Sequence, residues 1–392
     1  MFNNPAATDE DSQEPDVDSI GTVISVIIGS GVALLALFMG PLLVGEYIAK
    51  LGVSESQAGL IISVEMAGFT LGSAFLFIIA RVNWRKIMTS ALLIMIVGNA
   101  SLLLVDGLPL FVLCRFIAGL GAGLVMTMTI QVIGLMRDPD RVFGMWSVAQ
   151  LSFGALGIIV FPSVVVGNGI DFVFLTWAVL AAILGLTVRF YPYGRTPLIS
   201  SDSNSGMSRH FFLGLLCLLG LFIYYGGQGG VWFYMERVGI SRGIDRAAVG
   251  DILFISLLAA IAGSAVAILL GDKAGRAIPL SVSMAISALS ITLLILLNGE
   301  TLFTVAVCLF NFGWYLFMPY MSAIVANIDD DGKLLSGLAV IFPAALTAGP
   351  AIAALLIGNA DTLLPCLIYG LISVPLGLLL ILPAARIVSI KN

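Results

Sequence analysis

"LLGDKAGR", residues 269–276, places two glycines, one acid and two bases between two long apolar runs. The run before it, 247–270, and the run after it, 277–297, each hold enough apolar residues to cross a hydrocarbon core about 30 Å thick. A loop of this kind between two spans reads as a specified turn on a membrane surface. Gly275 permits the tight turn into the next span, and Gly271 lets helices approach.

The rest of the chain has the same character. Only 10% of the 392 residues are charged and 59% are hydrophobic. A soluble domain carries about 25% charge, so the composition excludes a soluble enzyme and predicts an all-α, polytopic membrane protein. Strand-type alternation is absent, which excludes a barrel. Residues 1–19 contain six acids and no base and are expected to form a disordered acidic tail. Cys114, Cys217, Cys308 and Cys366 lie in apolar runs without paired spacing, as small hydrophobic residues do. A lone histidine, His210, gives no basis for a metal site, and no cofactor or nucleic-acid partner is implied.

Counting apolar runs gives twelve spans. Six lie in a first bundle, residues 20–191, at 22–46, 56–80, 87–105, 109–136, 142–165 and 171–191. Six lie in a second, residues 211–385, at 211–235, 247–270, 277–297, 301–327, 334–358 and 362–385. A Ser/Pro/Gly-rich linker, 192–210, divides them, and 386–392 reads as a short tail. With the amino terminus inside, 13 of the 18 Lys and Arg fall on the inner face and four on the outer. The positive-inside rule then puts the linker and both termini in the cytoplasm of a cell bounded by this plasma (inner) membrane.

The halves echo one another at one offset. "ARVNWR" (80–85) precedes "GDKAGR" (271–276) by 191 residues, as Asp138 and Asp140 precede Asp329 and Asp331 and as Gly59 precedes Gly250. Three coincidences at matching points argue for a duplicated six-helix unit with a site between the halves.

These residues resemble the major facilitator superfamily. Gly271, Asp272, Lys273, Gly275 and Arg276 match the second copy of its loop signature, while the first copy keeps only Arg85 and Lys86 of that pattern. "RFIAGLGAG" (Arg115, Gly119, Gly121, Gly123) matches its span-4 signature. The resemblance implies two pseudo-symmetric six-helix bundles, alternating access, and a cavity lined by spans 1, 4, 7 and 10. It also implies a cytoplasmic gate at Arg81, Arg85, Gly271, Asp272, Gly275 and Arg276. The export signature of span 5 is displaced in "GALGIIVFP" (154–162), which leans toward uptake.

Ionisable groups inside the spans are few. Glu65 lies roughly 14 Å into span 2 and Arg115 roughly 10 Å into span 4, both counted from the outer face at 1.5 Å per residue. A charge at such depth needs a partner or a wet cavity. Glu65 is expected as a proton carrier and Arg115 as its modulator or an anion clamp; the alternative is a fixed link between helices. Glu46 is expected at the outer interface with a possible coupling role, and Glu236 and Asp251 as solvated groups at the outer mouth. Aromatic and amide side chains of spans 7 and 10 form the candidate solute surface: Tyr224, Tyr225, Gln228, Trp232, Asn311, Trp314, Tyr315 and Tyr320. The alternative for the aromatics is packing or an interfacial belt.

The sequence therefore predicts a secondary active transporter, acting as a monomer in the bilayer, that moves a small organic, aromatic or amphipathic solute with protons. A drug or metabolite efflux antiporter is the alternative within transport, and a non-transporting receptor or scaffold the alternative outside it. No phosphate-cradling Gly-Lys-Ser/Thr loop is present for ATP-driven transport.

Overall fold

The computed structural model describes residues 17–78, 81–191, 195–197, 209–329, 333–358 and 362–391. Residues 1–16 of the expected 1–19 tail and most of the 192–210 linker lie outside these residues, whereas Asp18 pairs with Arg137 and Ser19 caps the helix that follows it. The first half holds α1 (Ile20–Ala33), α2 (Leu35–Phe38), α3 (Gly40–Leu51), α4 (Glu55–Ile78), β1 (Arg81–Asn83), α5 (Trp84–Ser101), α6 (Leu108–Gly134), α7 (Pro139–Asn168) and α8 (Ile170–Gly185). After β2 (Arg195–Pro197) come α9 (Arg209–Phe233), α10 (Met235–Ile240), α11 (Arg246–Leu270), α12 (Ala277–Leu296), α13 (Glu300–Ile328), α14 (Lys333–Ile357) and α15 (Leu364–Lys391). Ten of these helices are long and apolar enough to cross a membrane. The broken first span, α1 to α3, and the more polar α5 complete the expected twelve. The protein is an all-helical, multi-pass membrane protein.

Several boundaries differ from the sequence reading. Span 1 is three pieces, and at the second break Pro41 has no N–H to give the carbonyl of Leu37, so the helix restarts at Gly40. Span 7 ends at Phe233 and resumes as the short α10. Residues 386–391, expected as a tail, continue helix α15. Within the linker, Arg195–Pro197 pairs antiparallel with β1, Arg81 opposite Pro197, so the linker is stitched to the loop between spans 2 and 3.

Caps fix the inner ends. Asn83 accepts from the N–H of Lys86 to start α5, and Asp138 accepts from that of Arg141 to start α7. In the opening motif Gly271 ends α11 at φ +51° and Gly275 turns at φ +64°. A Cβ on Gly271 would meet nothing nearer than 4.0 Å, so its role is the left-handed turn and not close helix approach.

The span-4 glycines do bring helices together. A Cβ on Gly119 would sit 2.1 Å from the Glu65 carbonyl, and one on Gly123 2.0 Å from that of Phe69. From the other side, Gly68 and Gly72 take the carbonyls of Phe116 and Leu120. Four glycines thus seat α4 on α6 with backbones in contact. That seating sets Glu65 against Arg115. Between the halves, α4 packs along α14 and α7 along α11.

Candidate functional site

Arg115 and Glu65 are fully buried and face one another inside the first half. The Nε of Arg115 donates to Glu65 Oε2 at 3.1 Å, and Nη2 donates to Oε1. Nη1 donates to Asn99 Oδ1 of α5 at 2.9 Å. The guanidinium lies 4.9 Å from the centroid of Phe174 and 5.4 Å from that of Trp177, both on α8. Two N–H groups thus engage one carboxylate in the fork geometry that suits arginine, and an amide and two rings close the rest. The sequence brought the first two residues together correctly by depth. It missed Asn99, Phe174 and Trp177, whose apolar neighbours hide them.

The candidate solute residues divide by the direction they face. Tyr224 shares a hydrogen bond with Ser287 of α12, and Gln228 donates to the Gly370 carbonyl of α15 at 3.3 Å. Asn311 donates to Ser256 of α11 at 2.8 Å. These three bind neighbours within the second half. Tyr225 instead sits among rings: Trp314 at 4.9 Å and Phe317 at 5.7 Å on α13, and Phe342 at 4.9 Å on α14. The cluster continues through Phe310 to Trp232, whose rings stack 6.5 Å apart. Tyr315 is half-buried and Tyr320 buried on the same helix. The hydroxyls of Tyr225 and Tyr320 and the Oε1 of Gln228 are buried without a partner among the described residues. Sequence spacing could not find Phe317 or Phe342, because phenylalanine is ordinary in any apolar span.

The halves are joined at the ends expected to lie outside. Trp232 Nε1 donates to the Leu37 carbonyl at 3.0 Å, and Tyr234 to the Glu55 carbonyl at 3.0 Å. Ser56 donates to the Ala354 carbonyl and Arg237 pairs with Glu55, while Thr70 meets Thr347 deeper along the same α4–α14 seam. Arg246 of α11 pairs with Glu46 of α3 at 2.8 Å and with Glu236 of α10 at 2.7 Å. Glu236 is therefore no solvated group; it has no exposed surface. Asp251 is exposed. The structure holds the halves together at the ends that the sequence reading places outside.

At the inner face, Asp272 is exposed, and Arg276 donates to the Ala323 carbonyl of its own half. Arg85 donates to the carbonyls of Tyr191 and Arg189, at 2.9 and 2.6 Å. The backbone of Arg81 is in the β1–β2 ladder, and its side chain lies outside the described residues. A separate apolar groove of about 410 Å³, lined by Ala285, Ala288, Leu371 and Pro375 among others, runs between α12 and α15, away from the ring cluster. Among the described residues no group of His, Cys, Asp and Glu could hold a metal.

Residues 22–215 match the family model described as Major Facilitator Superfamily. The chain is 25% identical, over 249 residues, to the cyanate transport protein CynX of Escherichia coli, covering 62% of this chain and 64% of that protein. The chain thus spans somewhat under two thirds of that relative. Among solved structures, a POT family transporter in complex with 5-aminolevulinic acid superposes with a TM-score of 0.77, covering 96% of this chain and 98% of that one at 13% identity. The human organic anion transporter MFSD10 (TETRAN) superposes with a TM-score of 0.70 at 16% identity, covering 92% and 99%. Both show that the fold is shared.

Proposed function

Because the chain belongs to the Major Facilitator Superfamily, we propose that it is a secondary active transporter in a plasma membrane, with both termini cytoplasmic. Its halves rock about a central site and carry a small organic solute with an aromatic or amphipathic part. The observation that carries the solute class is the Tyr225 hydroxyl, buried without a partner among Trp314, Phe317 and Phe342. Ring faces offer stacking area, and an orphaned hydroxyl in an apolar setting is a position that a ligand's polar atom would satisfy. Tyr320, Tyr315 and Trp232 extend this surface. Tyr224, Gln228 and Asn311 set its wall through their bonds to Ser287, Gly370 and Ser256. No catalytic step is assigned to the protein.

Protons are the proposed driving ion. The carboxylates paired with arginine in or beside the bilayer, Glu65 with Arg115 and Glu46 with Arg246, are the groups through which the gradient acts. Arg81, Arg85, Gly271, Asp272, Gly275 and Arg276 form the cytoplasmic gate, with Asp272 free to find a partner when the inner ends meet.

The deciding experiment is uptake into proteoliposomes with and without an imposed proton gradient, after thermal-shift screening of aromatic acids, sugars and lipophilic cations. Gradient-stimulated accumulation of a stabilising solute is the expected result. Equal accumulation under both conditions rejects proton coupling, and unchanged gradient-driven uptake by Glu65→Gln rejects that residue's part in it.

A further inference from the structure

At the outer joint, one guanidinium is divided between two carboxylates. Arg246 Nε donates to Glu236 Oε1 at 2.7 Å, and Nη2 of the same edge donates to Glu46 Oε1 at 2.8 Å. That edge ordinarily takes both oxygens of one carboxylate. Splitting it sets Glu46 of the first half beside Glu236 of the second, with one positive charge for two negative ones. The second oxygen of Glu236 finds no partner among the described residues, although the residue has no exposed surface. It lies against the backbone of Gly45, where a Cβ would come within 2.2 Å of it. The remaining charged neighbour is Arg237, adjacent in sequence, whose Nε is taken by Glu55 at 3.0 Å.

We propose that Glu236 and Glu46 form a proton-binding site that exists only when the outer gate is closed, so that a proton from the outer solution locks the gate. The physical case is that of a buried carboxylate, Glu236, set beside a second one on a single guanidinium with one of its own oxygens unpartnered: a proton on that oxygen relieves both its desolvation and its repulsion from Glu46. The unpartnered Glu236 oxygen is where that proton sits, turned toward Glu46 or the Gly45 backbone. No bond is made or broken beyond the O–H, and Arg246 keeps its charge.

The direction of the pH effect follows. Burial is the largest influence on Glu236 and raises its pKa; Arg246 and Arg237 lower it, and Glu46 raises it further. Opening the outer ends exposes Glu236 to water, where it returns toward an ordinary carboxylate. The closed state therefore binds the proton more tightly than the open one. Closure is favoured as pH falls through the closed-state pKa and loses that support as pH rises. The proton enters and leaves from outside, so the device senses outer acidity and need not be the proton that drives transport. It extends the role proposed for Glu46, yet its test needs no cargo.

Ala49 and Ala247 are exposed and flank the joint on opposite halves. Spin labels at Ala49→Cys and Ala247→Cys, in nanodiscs titrated from pH 4 to 8, report the outer gap directly. The expected result is a short-distance population that grows as pH falls. Glu236→Gln, neutral at every pH, should hold that population high and flat. Glu46→Gln leaves one carboxylate for Arg246 and should move the midpoint down. A gap that ignores pH in the unsubstituted protein, or a Glu236→Gln gap that titrates as before, overturns the site. Should Glu236→Gln fail to fold, an unmoved midpoint in Glu46→Gln overturns it alone. Failure of transport in proteoliposomes with normal gap titration would instead reject the function proposed above and leave this site standing.

Discussion

The indole of Trp232 donates to the carbonyl of Leu37 across the two halves, and Pro41 is the reason that carbonyl is available. In an unbroken helix the N–H four residues on would take it. Proline has none, so span 1 breaks and the second half supplies the donor. Trp232→Phe keeps the ring that stacks on Phe310 and removes only the donor. Losing this part-buried hydrogen bond costs about 1 kcal/mol, so the outer-closed population should fall about fivefold relative to the outer-open one. Label distances between Ala49→Cys and Ala247→Cys at fixed pH measure this. An unchanged distribution would mean that the bond does not hold the joint.

Arg115 offers a stability prediction of the opposite kind. Its partners Glu65 and Asn99 are buried with it, so Arg115→Leu strands a carboxylate in the interior of the bundle. Removing one partner of a buried pair costs about 3–5 kcal/mol, and replacing both by apolar residues costs far less. In detergent, Arg115→Leu should melt well below the unsubstituted protein, and Glu65→Leu/Arg115→Leu should recover most of that loss. A double variant no better than the single would show that Asn99, Phe174 and Trp177 depend on the guanidinium itself.

How much of this was legible in the sequence depends on the kind of information involved. Apolar length alone gave twelve spans, because crossing a membrane is a one-dimensional requirement. Depth alone matched Glu65 to Arg115. Of the breaks at Leu34, Met39 and Tyr234, the second is marked in the sequence by the Gly40–Pro41 pair. Glu236 near a span end looks wet, and its burial comes from across the fold, with Gly45 of the other half against its carboxylate and Arg246 of α11 paired to it. The i+4 series Tyr224, Gln228, Trp232 looked like one surface. Tyr224 and Gln228 in fact bind α12 and α15, while Trp232 crosses to the first half. Helical spacing gives a face but not what covers it.

The glycine seam between α4 and α6 gives a controlled comparison. A methyl at Gly119 would meet the Glu65 carbonyl at 2.1 Å, and backbone cannot move aside as a side chain can. Gly119→Ala should separate the two helices, disturb the Glu65–Arg115 pair and destabilise the fold by the typical cost of overpacking, about 1–3 kcal/mol, read as a lower melting temperature. Gly144 of α7 has open space where its Cβ would be. Gly144→Ala should be neutral, or stabilising by up to about 1 kcal/mol through helix propensity. Equal behaviour of the two variants would reject backbone contact as the purpose of the seam.

Tyr225→Phe separates a binding role from a packing role by the signs of two measurements. If the ring serves only packing, losing a hydroxyl that has no partner should leave the fold as stable as before or slightly more so, and nothing else should change. If the hydroxyl meets the solute, stability without ligand should again hold or rise. The thermal shift induced by a binding aromatic acid or related solute should then shrink, with affinity reduced about five- to tenfold for one lost hydrogen bond of 1–1.5 kcal/mol. Trp314→Ala removes a ring 4.9 Å from Tyr225 and should depress both quantities, since it takes away packing and stacking together. A Tyr225→Phe protein with the full ligand shift places the solute elsewhere, against the half-buried Tyr315 or the buried Tyr320 hydroxyl, and Tyr320→Phe is then the variant that should lose it.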